Sequence, residues 1–448
     1  MGTMPVNRLL ITMSVPMMLS MLVQALYNVV DSMFVARISE AALTAVTLAY
    51  PMQNLMIAVG IGTCVGFNAL LSRSLGEREF ARANKAADNA VFLGFVNFLL
   101  FACIGLFVIS FYLNAQTNIA EIIRYGHDYL FIVCVFSLGF FGQITFSRLL
   151  QSTGKTMFSM MIQLSGALVN LILDPILIFG LFGFPRMEVA GAAIATVIGQ
   201  FTAMMLGIIL NLLYNKEITL SLRGMIHPDA AILKRIYSVG IPTIAMNSIS
   251  SVMIFGMNQI LISFSSTATA LFGVYFKLQS FVFMPVIGLN NGMVPIIAYN
   301  FGAKKKARMI RTFRLAVTYG VSILLIGMLV FQLFPHRLLL LFNASEEMLA
   351  IGIPALRTIS LSYLFPGFCI ITLSTFQALG HGLKGFIVSL VRQLVFLLPT
   401  AYLLSLTGRL ELIWFSFPIA EIVAVLLCIM MLIRVYRQEV ELMPDEDG

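Results

Sequence analysis

Ser20, Gln24, Tyr27, Asn28 and Asp31 recur at i, i+4, i+7, i+8 and i+11. In a helix these residues share one face. They sit in an apolar run from about residue 9 to about residue 35, long enough to cross a bilayer. A carboxylate near the centre of a spanning helix costs ~3 kcal/mol on insertion scales and more by other estimates. Such a group faces a protein interior or a watery cavity, where it handles ions or protons. A carboxylate quietly hydrogen-bonded inside a bundle is the bland alternative, and the polar stripe around Asp31 argues for a cavity wall instead.

A second stripe pairs with the first. Gln163, Asn170 and Asp174 fall at i, i+7 and i+11, and Pro175 follows directly. Proline lacks an N–H, so the carbonyl of Leu171 loses its helical partner and can face a cation or water. Counting inward from the outer ends of their spans, Asp31, Asp174 and Thr196 lie at similar depth, roughly 10 Å at ~1.5 Å per residue. Oxygen ligands suit a hard cation such as Na⁺. Two nearby carboxylates also suit a proton, because like charges at close range resist ionising together. Alternatively, Asp174 only satisfies backbone freed by Pro175. Gln24, Tyr27, Asn28, Gln53, Gln163, Gln200, Asn247, Lys277 and Gln279 are the further polar candidates for a substrate cavity. The later half of the chain is nearly acid-free within its spans, which hold Lys277, Arg392 and Glu421. Lys277 could pair with a carboxylate or simply brace the bundle, and Glu421 reads as a packing partner.

The elements that must position these residues are membrane spans. Of 448 residues, 59% are hydrophobic and only 11% charged; a soluble protein would carry roughly a quarter charged. The net charge of +8 therefore points to membrane orientation rather than to nucleic acid. The five cysteines all fall in apolar runs without ligand spacing, and read as small hydrophobes. The four histidines are scattered, so no metal cluster is expected. No cleavable signal is visible, because the first apolar run is too long.

The hydropathy pattern predicts an all-α membrane protein of twelve spans, about 9–35, 44–71, 89–111, 127–150, 157–181, 189–214, 238–264, 269–298, 313–334, 351–378, 383–406 and 411–436. Spans 1–6 form an N-lobe over 1–214. A linker covers 215–235, a C-lobe 236–436 and a tail 437–448. Lys and Arg on the termini and on the connections after even-numbered spans number 20, against 6 on the opposite side, which places both termini in the cytoplasm. The basic run Lys304 to Arg314 is an anchor for anionic headgroups. The halves repeat: a shift of 226 aligns Pro16 with Pro242, Gln53 with Gln279, Gly62 with Gly288, Gly66 with Gly292, Gly76 with Gly302, Arg82 with Arg308, Gln151 with Gln377 and Gly154 with Gly380. Each half has an even number of spans, so the repeat is parallel, as in transporters that rock around a central site. Beyond Gly154 the match fades, and Asn170 and Asp174 align with Phe396 and Thr400.

Pro16 with Asp31, Gly60 to Gly76 (GIGTCVGFNALLSRSLG), Leu173 to Gly180 (LDPILIFG) and Gly288 to Lys304 (GLNNGMVPIIAYNFGAK) together resemble the multidrug and toxic compound extrusion (MATE) family over nearly the whole chain. The resemblance implies two six-helix lobes forming a V around a central cavity. It implies a secondary antiporter, not an enzyme, exporting organic, often cationic and aromatic compounds in exchange for H⁺ or Na⁺. Asp31, Asn170 and Asp174 then form the N-lobe cation site, with Thr196 beside them and Na⁺ as a possible occupant; no cofactor is needed. Spans 7 and 10 lack the acids some members carry there. The implied partners are small organic molecules and lipid, and the implied state is a monomer in a prokaryotic-type plasma membrane. A lipid-linked oligosaccharide flippase of related architecture is the alternative. It calls for several Arg or Lys residues on the cavity wall, where only Lys277 and Arg392 are available. A membrane-embedded enzyme lacks a His/Asp/Glu cluster, and a channel fits poorly with acids confined to one repeat.

The charge asymmetry makes a topological prediction. A protease-cleavable tag after Gly448 should be cut only in inside-out vesicles; cleavage from outside intact cells would reverse the assignment.

Overall fold

The computed structural model describes residues 1–342 and 344–443, and every regular element among them is a helix. The spans are α1 (Val6–Ala36), α2 (Glu40–Gly76), α3 (Phe80–Phe107), α4 (Ala120–Val135 with Leu138–Ser152), α5 (Thr156–Phe179) and α6 (Glu188–Tyr214), then α7 (Ala230–Ile262), α8 (Ser266–Gly302), α9 (Lys306–Leu333), α10 (Glu346–Leu364 with Pro366–Ala378), α11 (Gly382–Ser405) and α12 (Leu410–Val440). The chain is thus an all-α integral membrane protein of twelve spans. Ten are single helices long and apolar enough to cross a membrane. Each of α4 and α10 bends by 46° at a break; in α10 the break falls at Pro366, which cannot donate to the preceding turn.

Several helices outrun the apolar pattern that announced them. α3 begins at Phe80 rather than near residue 89, and α9 at Lys306 rather than near 313. Their first turns carry Arg82, Lys85, Arg308 and Arg311. Long basic side chains reach back to water while their stems cover apolar surface, so hydropathy alone stops short of the true helix end. The connection expected over 215–235 is likewise shorter, because α7 starts at Ala230. The Asp229 carboxylate accepts the N–H groups of Ala231 (2.9 Å) and Ile232 (3.4 Å), capping that helix.

This connection is strapped to one face of α3. Asn84 accepts from the Thr219 N–H (2.8 Å), Asp88 from the Ser221 N–H (2.8 Å) and Asn89 from the Asp229 N–H (3.0 Å), while Lys85 pairs with Asp229 at 3.2 Å.

The 226-residue repeat recurs in the helix limits and their caps. α2 and α8 begin and end 226 residues apart, and so do α3 and α9. Ser39 and Ser265 each accept the N–H three residues on at 3.0 Å, as matching caps. Gly154 and Gly380 both take the left-handed backbone, at φ 88° and 90°, which favours glycine. The bounds of α5 and α11 also keep the 226 offset, although their sequences no longer match.

The chain packs as two compact units, Leu19–Gly240 and Met1–Met18 with Ile241–Gly448. Each of α1 and α7 contributes to both units, and the divisions fall beside Pro16 and Pro242, where a proline interrupts the helical bonding. In the first unit the core gathers Ala42, Ala45, Phe101, Tyr129, Phe141 and Ala193. The second unit holds one cluster around Leu10, Met13, Met293 and Ile297 and another around Phe272, Tyr275, Phe331 and Trp414. Phe107 and Phe111, almost fully exposed, are apolar surface for lipid.

The strap gives a pH test. Lys85, then the Ala231 and Ile232 N–H groups, hold the Asp229 carboxyl below its ordinary 3.8. A depressed carboxyl contributes stability above its unfolded value and loses it as pH falls through the folded one. Asp229→Asn should therefore lower Tm near neutral pH. The gap to wild type should persist down to 3.8 and close only below it. A gap that vanishes at higher pH would assign the effect to another group.

Candidate cation site

α5 and α6 approach closely because glycines face one another. A Cβ on Gly199 would lie 2.6 Å from the Gly166 carbonyl oxygen, and one on Gly191 would lie 2.6 Å from the Leu177 carbonyl oxygen. Real Cβ atoms do not reach such distances, so both positions need glycine. The seam brings Thr196 of α6 against Asn170 of α5, whose Nδ2 donates to Thr196 Oγ1 at 3.0 Å. Thr196 in turn donates to the Ala192 carbonyl at 2.9 Å.

Asp174 stands one turn further along the same face of α5 and is wholly buried. Asp31 of α1 reaches it, and the two carboxyls lie within hydrogen-bonding range of each other. Tyr27, one turn before Asp31, reaches the Thr196 side chain. Four buried oxygens here have no donor among the described residues: Asp31 Oδ1, Asn170 Oδ1 and both carboxylate oxygens of Asp174. Leaving such groups unpaired in an apolar interior is expensive. Two carboxylates in contact are held together only with a proton or a cation between them. Oxygen donors alone, with no nitrogen or sulfur, suit a hard cation.

The structure therefore brings Asp31, Asn170, Asp174, Thr196 and Tyr27 into one place within the first unit. Gln24 and Asn28, on the same helix as Asp31, are exposed. Gln53 donates to the Tyr129 hydroxyl at 2.9 Å. Gln163 donates to Ser147 at 3.5 Å, and Gln200 keeps a buried Oε1 without a donor among the described residues. Asn247, Lys277 and Gln279 belong to the second unit. Asn247 donates to its own helix at Thr243, and Lys277 is exposed and makes no ion pair among the described residues. Glu421 pairs instead with Arg392 at 3.2 Å. Tyr129 escaped the sequence reading. It is buried on α4 within electrostatic range of both aspartates.

By the 226-residue offset, the second-unit counterparts of Asp31, Asn170, Asp174 and Thr196 are Met257, Phe396, Thr400 and Ile422. Three of the four are apolar, so the site has no twin.

The MatE family model matches this chain twice, over residues 16–176 and 242–403. The chain belongs to the MATE family of transporters. The two matches begin 226 residues apart, at Pro16 and Pro242, so the family model finds the same repeat as the helix bounds. Among relatives, the chain is 29% identical over 419 residues to the multidrug export protein MepA of Staphylococcus haemolyticus, covering 92% of this chain and 90% of that protein. Among solved structures, it superposes with TM-score 0.90 on an outward-facing multidrug resistance MATE family transporter of the MOP superfamily, at 23% identity over 97% of each chain. The MATE transporter VcmN of Vibrio cholerae aligns with TM-score 0.91 at 20% identity, over 97% of this chain and 98% of that one. These MATE structures share the twelve-helix, two-lobe fold. The protein is a multi-pass membrane transporter and not an enzyme.

The glycine seam can be tested directly. Gly199→Val forces its side chain into the Gly166 carbonyl and Asn170 Cβ. It should destabilise the protein by about 2–3 kcal/mol, as backbone overpacking does. A thermal unfolding midpoint equal to wild type would mean that the seam is not held by this contact.

Proposed function

We propose that this MATE transporter exports chemically varied organic compounds, chiefly cationic and aromatic ones, in exchange for H⁺ or Na⁺ entering the Asp31–Asp174 site. The observation that carries the reading is the contact between Asp31 and Asp174, where three oxygens of the pair and Asn170 Oδ1 are buried without a donor among the described residues. A second support is the naming of its staphylococcal relative as a multidrug export protein. The mechanism follows from charge. With the site empty of cation, two adjacent carboxylates favour a cationic substrate in the same unit. A proton or Na⁺ at the pair removes that attraction and the substrate is released. Inward-open and outward-open states must differ in cation affinity for a gradient to drive the cycle. Thr196 and Asn170 complete the oxygen shell, and Tyr27 and Tyr129 border it. Gln24 and Asn28 extend the substrate surface along α1. The orientation with both termini in the cytoplasm of a bacterial-type plasma membrane, and a monomeric state, belong to this proposal. A lipid-linked oligosaccharide flippase fits less well: of the two basic residues available for a pyrophosphate, Arg392 is already engaged by Glu421.

Asp31→Asn tests the reading in proteoliposomes with imposed Na⁺ and pH gradients applied separately. The amide keeps the shape and removes a buried charge, so thermal stability should stay level or rise. Exchange should be abolished under whichever gradient drives wild type, and Asp174→Asn should behave alike. Glu421→Gln should keep coupling but lose stability, because Arg392 is left without its counter-charge. Wild-type exchange by a stable Asp31→Asn protein would remove the coupling role from this pair.

A further inference from the structure

The first unit holds a buried polar network that the cation site does not use. Gln163 stands two turns from Asn170 on α5 and donates to Ser147 Oγ of α4 at 3.5 Å. Ser147 and Ser159 share a hydrogen bond of 2.5 Å. Gln151 donates to Ser159 Oγ at 2.7 Å, and its own carbonyl accepts from Arg148 at 2.9 Å. Level with the stretch of α5 between Gln163 and Asn170 is Gln200 of α6. It lies one turn from Thr196 on α6, beside the Gly199 that packs on Gly166, and its Oε1 is buried without a donor among the described residues.

The repeat supplies an internal control. The second-unit counterparts of Ser147, Ser159 and Gln200 are Leu373, Gly385 and Leu426. The same helices pack there without these polar groups, so packing alone does not demand them. Burying hydroxyls and amides carries a desolvation cost that apolar residues avoid. Gln163 and Gln151 keep polar counterparts, Ser389 and Gln377, whereas the hydroxyls of Ser147 and Ser159 and the Gln200 amide occur only in the unit that also carries the acids.

We propose that this file of side chains, from Thr196 and Asn170 through Gln200 and Gln163 to Ser147, Ser159 and Gln151, is the path by which the coupling cation leaves the Asp31–Asp174 site. It leads to the end of the unit that bears Ser152 and Thr156, the cytoplasmic end in the topology proposed above. Hydroxyl and amide oxygens offer a migrating cation, or the water that carries a proton, successive neutral ligands. The path is closed: Ser147, Ser159 and Gln151 are each 3% exposed or less, and spend their polar atoms on one another, on Gln163 and on Arg148. The Gly166–Gly199 seam narrows it beside Gln200. Opening requires α5 and α6 to part there and Arg148 to release Gln151. The inference rests on the reading of Asp31 and Asp174 as the coupling pair.

The test uses the full-length protein in proteoliposomes, with Gln200→Leu as the main variant and Ser147→Ala/Ser159→Ala as a milder second one. Cation binding is read separately as the thermal shift on adding Na⁺ or lowering pH. Both variants should keep that shift. Exchange driven by the same cation should fall about tenfold or more, the scale of losing one buried polar contact on the path. If Gln200→Leu unfolds, the alanine pair carries the test, since it removes only two oxygens. A folded variant that exchanges at the wild-type rate overturns the path, and so does one that loses the thermal shift together with transport. Asp31→Asn, run alongside, separates the two failures. Inactive Asp31→Asn with fully active path variants sinks the path alone, whereas active Asp31→Asn sinks the coupling site and the path with it.

Discussion

Two carboxylates buried against each other set the terms for the first unit. Neither Asp174 oxygen meets a donor among the described residues, nor does Asp31 Oδ1. In an apolar interior that arrangement holds together only around a positive charge or a shared proton. The surrounding features fix the α5 side of that pair. The Gly166–Gly199 and Gly191–Leu177 approaches draw α6 onto α5. Thr196 holds Asn170 at 3.0 Å, which fixes the side chain one turn from Asp174. Pro175 cannot complete the bond to Leu171, leaving another oxygen on the same helix.

The repeat separates scaffold from chemistry. Helix limits, serine caps and left-handed glycines recur 226 residues apart. At the positions of the acids the second unit has Met257, Phe396, Thr400 and Ile422. A carboxylate costs stability wherever it is buried, and it persists where its charge has a use. The scaffold is thus common to both units, and the paired aspartates belong to one.

The second unit buries charge in a different way. Arg392 and Glu421 neutralise one another at 3.2 Å. Around Arg392, α11 widens into a π-helical turn over Val391–Leu397, where the matching stretch of α5 stays regular and carries Gly166. A glycine lets two helices close up, and an Arg–Glu pair holds them further apart, so the two units differ most where their sequences stop matching. A neutral ion pair has no net charge to give up, unlike the aspartate pair.

The sequence by itself determined the class, the number of spans and the repeat, because hydrophobic length, charge asymmetry and a constant offset are properties of the chain. It also placed Asp31, Asp174 and Thr196 at one depth, since helical rise converts residue count into distance. It missed the true starts of α3, α7 and α9, because snorkelling lysines and arginines and the Asp229 cap lie outside any apolar pattern. It also left Lys277 and Glu421 without settled partners. Only the tertiary structure decided which helix faces meet: that Asp31 touches Asp174, that Tyr129 lies within electrostatic range of both, and that Arg392 takes Glu421. Azimuth around a helix axis is fixed by side-chain packing against neighbours distant in sequence, here through glycine seams whose depth no single helix encodes.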